Sequence, residues 1–155
     1  MSTPSLDTLL AECSDPKGPV VLAADSLSVD EANHLVSALA ARNIQARVLD
    51  GSRLSGKADL LRELAAAFAF PSYFGHNWDA LIDCWSDMTW LPARGYLCVL
   101  LRADALRTAD AATHDAFLTA CHDVAERWRR HDPHIVFKLL RVAPAVPAAS
   151  VPDKR

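Results

Sequence analysis

Residues 71–84 read PSYFGHNWDALIDC, and their spacing is helical from Asn77 onward. Counting 3.6 residues per turn places Asp79, Asp83 and Asp87 along one stripe with His76 beside them. Trp78, Leu81, Trp85 and Met88 fall together on the other side. The pattern predicts a helix over about 77–87 that buries its aromatics and shows its acids. Asn77 suits the N-cap, where its side-chain oxygen can accept an orphan amide, and Asp79 then sits where the helix dipole favours an anion. Gly75 is expected to supply a tight or left-handed backbone just before it. From Glu63 through Ala93 there is no Lys or Arg, so the local field is expected to be negative. Paired carboxylates can serve acid/base catalysis or docking. The aromatic loop in front of them and the lack of nearby cations favour docking.

Outward from this helix, strands alternate with helices. Apolar runs predict strands at 20–24, 45–49, 95–101 and 135–142, and apolar residues at i, i+3, i+4 and i+7 predict helices over 29–42, 57–68 and 111–130. Such alternation implies parallel pairing with crossover helices. Residues 1–19 contain one amphipathic turn, Leu6 to Cys13, followed by a Pro- and Gly-containing breaker, and are expected to be loosely attached. The segment after Val142, APAVPAASVPDKR, has no apolar periodicity and is expected to be disordered.

The chain has 155 residues, 51% of them hydrophobic and 23% charged, enough for one core without staples. A net charge of -3 argues against direct nucleic-acid binding, which usually shows a basic stripe. The four cysteines form no C-x-x-C pair and follow no signal peptide, so they read as reduced thiols of a cytoplasmic protein. The apolar runs are too short for a membrane span, and no cofactor or metal is expected.

Other constellations compete with the acidic helix. Gly51 to Lys57, GSRLSGK, matches G-x-x-x-x-G-K between a strand and a helix, and is the basis for an alternative reading as a small phosphate-binding enzyme. The following residue is Ala58, so the hydroxyl that would ligate magnesium is missing. The six histidines show no i, i+4 ligand spacing and read as solvated surface groups. Cys121-His122-Asp123 is no triad, because neighbours on a helix point about 100° apart.

Pro71, the aromatic pair, Gly75, Asn77 and the run Asp79-Ala80-Leu81 with Asp83-Cys84 resemble the signature of the barstar family. The likeness extends back through Leu49-Asp50-Gly51, Leu54 and Asp59-Leu60-Leu61, and forward to Val142. The resemblance implies an α/β fold with a small parallel sheet of three to four strands packed by helices, carrying an N-terminal β-α extension. It divides the chain into one domain over 1–142, with the extension at 1–44 and the core at 45–142, and a tail at 143–155. It also implies a non-enzymatic inhibitor of a ribonuclease, barnase-like or another basic nuclease, of the immunity or antitoxin type, monomeric when free. The partner-binding residues would be Tyr73, Gly75, Asn77, Asp79, Ile82, Asp83, Asp87 and Asp123, with Asp83 in the enzyme's phosphate position. Ile82 and Met88 stand where the family's type member carries tryptophan, so the aromatic rim is thinner. The other alternative is a module of this fold that binds a different basic protein.

Overall fold

Strand β3 (Gly95–Leu101) is buried at every position, as a run of YLCVLL demands of an inner strand covered on both faces. In the computed structural model, which describes residues 5–143, it lies between β2 (Ile44–Asp50) and β4 (Val136–Val142), with β1 (Val21–Ala24) beyond β4. All three pairings are parallel, with Gly95 opposite both Ile44 and Val136, and Val21 opposite Leu139. The extension therefore contributes a fourth strand.

Alternation along β3 divides the interior in two. Tyr96, Cys98 and Leu100 join the larger core, with Leu60, Leu61 and Leu64 of α3 (Lys57–Ala67), Leu81 and Trp85 of α4 (Trp78–Trp85), and Phe117, Cys121 and Val124 of α6 (Ala111–His131). Leu97, Val99 and Leu101 join the second core, against Leu9 and Cys13 of α1 (Leu6–Ser14) and Leu35 and Leu39 of α2 (Val29–Ala40). Residues 6–14 are thus anchored, contrary to the expected loose attachment. Leu9 and Cys13 have no exposed surface, and Ser5 caps the helix through Thr8 N at 3.1 Å. The expected tail falls on residues 144–155, outside the described residues.

Three further points differ from the sequence reading. A short helix, α5 (Ala103–Ala109), follows Arg102, whose left-handed φ of 51° turns the chain out of β3. Its seven residues are too few for periodicity to reveal. Helix α4 ends at Trp85, and Asp87 lies in the turn beyond it, before Met88 at φ 53°. His114 is buried, not solvated: Arg141 Nε donates to its Nε2 at 3.2 Å, leaving Nδ1 to donate to Asp115 at 3.0 Å. Among the described residues no helix is long and apolar enough to cross a membrane.

Candidate partner-binding site

The loop before α4 is held at both ends. At the end of α3, Ala69 takes φ 55° and the Phe70 amide donates to Ala65 O at 2.9 Å, a Schellman closure made with alanine where glycine is usual. Arg47 Nε donates to Ala67 O at 2.9 Å, and its guanidinium lies 5.8 Å from the Phe68 ring centroid. Phe70 packs between Phe74, at 5.0 Å, and Trp90, at 6.2 Å, while Trp90 Nε1 donates to Phe68 O. A tight turn from Pro71 O to Phe74 N completes the loop. It is rigid because its aromatics are its anchor.

Asn77 caps α4 as expected, its Oδ1 accepting from Ala80 N at 2.8 Å and its Nδ2 donating to Gly75 O at 3.3 Å. The left-handed residue is His76, at φ 53°, not Gly75. The His76 ring packs at a tilt 4.7 Å from Phe74 and bonds the Phe74 carbonyl, two contacts that favour that conformation. Gly75 has a different use: a Cβ there would stand 3.2 Å from the Asn77 amide nitrogen and crowd the cap.

On α4 itself, Leu81 and Trp85 have no exposed surface, Met88 just beyond is buried, and Trp78 is half-buried under the Lys57 ammonium, 5.7 Å from its ring. Asp79 and Asp83 are exposed on the other side, one turn apart, and Asp87 is exposed in the following turn. The Cys84 thiol registers their charge: burial pushes its pKa up first, and Asp83 and Asp87 add to the rise.

One cation enters this face from a distance. Arg127 Nη1, on α6, donates to Asp83 Oδ1 at 2.6 Å. An acidic face without cations, inferred from residues 63–93, is therefore corrected. Both side chains remain more than half exposed, at 53% and 67%, and such solvent-facing pairs contribute little, about 0–1 kcal/mol. Asp83 is partnered but not covered.

Tyr73 projects from the loop at 72% exposure, one of two large apolar side chains so exposed among the described residues. Ile82 is half-buried against the larger core, so it is only partly available to a partner. Asp123 is exposed on α6, one turn before Arg127 and so on the side of α6 that reaches α4. Loop, α4 with the turn after it, and α6 thus leave Tyr73, Asp79, Asp83, Asp87 and Asp123 exposed.

The family profile described as Barstar (barnase inhibitor) matches residues 44–140, from the first residue of β2 into β4. The chain belongs to the barstar family. No individually curated protein matches it. The barstar-family segment includes the loop, α4 and α6, whereas α1, β1 and α2 precede it.

In this barstar-family chain two amides of the G-x-x-x-x-G-K loop are taken by the protein's own carboxylates: Ser52 N donates to Asp50 at 3.0 Å and Ser55 N to Asp59 at 2.9 Å. Gly51 is there for packing, since a Cβ would lie 2.3 Å from the Arg102 carbonyl oxygen. Lys57 covers Trp78 instead of facing the loop. Cys121 is fully buried with its pKa driven far up by desolvation, while His122 and Asp123 face solvent.

Proposed function

We propose that this barstar-family chain inhibits a ribonuclease by seating the exposed face of α4, with Tyr73 beside it, in the enzyme's basic active-site cleft. The observation that carries the reading is the outward pair Asp79 and Asp83, on a helix whose opposite face is fixed by the fully buried Trp85. A ribonuclease grips RNA phosphates with Arg, Lys and His. Carboxylates on a stiff helix can occupy the same positions and offer no bond to cleave. Asp83 takes the central position and Asp79 supports it. Asp87 and Asp123 reach peripheral cations, Tyr73 packs at the rim, and Gly75 and Asn77 shape the loop that meets the enzyme. On docking, a guanidinium of the enzyme replaces Arg127 on Asp83, exchanging one cation for another.

A chain acting in this way protects the cell that makes the enzyme, as an immunity protein or antitoxin. The test is titration into a panel of basic ribonucleases cleaving a fluorogenic RNA at two ionic strengths. The expected result is stoichiometric loss of activity for at least one enzyme, with association slowing as salt rises because opposed charges steer the encounter. Absence of inhibition across the panel overturns the reading. Stable complex formation with a basic protein that does not cleave RNA replaces it with the partner-module alternative.

A further inference from the structure

At the end of the sheet where β2, β3 and β4 begin, a cavity of about 260 Å³ is lined by Ser14, Arg42, Ile44, Arg94, His134 and Val136, with Pro16 at its edge. We infer that this cavity is a binding site for a compact phosphomonoester. Three basic side chains from separate segments meet around it, and among the described residues neither Arg42 nor Arg94 has a carboxylate partner. Arg62, Arg102, Arg107, Arg127, Arg129 and Arg130 all have one. Arg47, Arg53 and Arg141 also lack one among the described residues, but Arg47 donates to Ala67 O and Arg141 to His114, and only Arg42 and Arg94 line this cavity, in a chain of net charge -3.

Arg42 is also held in place. Its Nη1 donates to Ser14 Oγ at 3.1 Å, and that hydroxyl is locked by its own bond to Leu10 O at 2.6 Å. The nearest carboxylates in sequence are turned to other donors, Asp15 to Lys17 N at 2.9 Å and Asp132 to His134 N at 3.2 Å, and neither lines the cavity. Two guanidinium forks and an imidazole offer more donors than one carboxylate accepts, whereas a phosphate brings three terminal oxygens and about -1.5 to -2 charges. Ile44, Val136 and Pro16 give the remainder of the ligand an apolar floor. The volume is close to the lower end of small-molecule sites, about 300–1,000 Å³, larger than a bare ion needs.

Open α/β sheets ordinarily take ligands at the carboxyl ends of their strands. This cavity lies at the opposite end, and Ser14, Pro16 and Arg42 all precede the residues matched to the barstar family. That segment thus supplies three of the cavity's seven lining residues. The cavity shares no residue with the α4 face and stands independently of the inhibitor reading.

The test follows backbone amide resonances of the full chain during titration with ribose 5-phosphate, inorganic phosphate and unphosphorylated ribose. Saturable shifts with ribose 5-phosphate, centred on residues 42–44, 94–96 and 134–136, are expected. Arg42→Glu and Arg94→Glu should each weaken binding by about tenfold or more. Arg53→Glu, the same charge change at the other end of β2, should leave it unaltered. Ser14→Ala, which keeps the charge but frees Arg42, should weaken it severalfold, and thermal melts verify that each variant is folded. No saturation below ~10 mM, or equal weakening by Arg53→Glu, overturns the proposal. Inorganic phosphate binding as tightly as ribose 5-phosphate overturns its organic part.

Discussion

Arg127 and Asp83 join α6 to α4 through one hydrogen bond of 2.6 Å across 44 residues of chain, with both side chains open to solvent. In the proposed complex the same carboxylate must serve an enzyme cation, so Arg127 is its resident competitor. Asp83→Ala should weaken ribonuclease binding by more than about 2 kcal/mol, in the hot-spot range whose upper end is set by an aspartate of barstar itself. Arg127→Ala should bind at least as tightly as the native chain, read by surface plasmon resonance. Equal losses in the two variants would mean that Asp83 acts only through its internal pair.

Trp85 is the keel of α4. It has no exposed surface and lies 5.2 Å from Phe68, 6.1 Å from Phe117 and 4.7 Å from Phe137, yet its Nε1 has no hydrogen-bond partner among the described residues. Trp85→Ala should cost about 3–5 kcal/mol in urea unfolding. Trp85→Phe should cost under about 2 kcal/mol, because losing an unsatisfied buried donor offsets part of the lost volume. Similar costs for both would show that the indole N–H finds a partner in solution.

Acid should destabilise the chain in a defined window. The hydrogen bond from Arg102, aided by Ser52, holds Asp50 at about 2 against an ordinary 3.8, and Ser55 and Arg62 hold Asp59 at about 2. With the native pKa depressed, the unfolded chain binds more protons between these values. The stabilisation is fully present above the ordinary carboxylate value and is lost as pH falls towards 2. Asp50→Asn should therefore lower Tm at neutral pH and flatten the decline of Tm between about pH 4 and 2. An unchanged slope would remove the Asp50–Arg102 pair from the acid response.

The anchoring of α1 can be measured directly. Leu9 is fully buried in the second core, so Leu9→Ala should cost about 2–5 kcal/mol in a single cooperative transition. A loss below about 0.5 kcal/mol would mean that α1 detaches readily from the sheet.

The two-sided character of α4 was legible because a helical stripe and an Asn cap are settled within one turn of chain. The same holds for the unbroken apolar run of β3 and for the parallel order implied by strands alternating with helices. Family membership could be read from residues 71–84 for the same reason, since loop and cap form one local unit.

Other features depend on which surfaces meet. Nothing near Asp83 in sequence announces Arg127, and the left-handed backbone expected of Gly75 is taken by His76, whose ring packs against Phe74. His114 becomes buried where β4 delivers Arg141 to it. The cavity between Ser14, Arg42 and Arg94 exists because α1 packs beside the starts of three strands. Periodicity and capping are energies of neighbours along the chain, so the amino-acid sequence alone determined the elements and their buried faces. Ion pairs, strained dihedrals and cavities arise where distant elements exclude water together, and only the tertiary structure decided those.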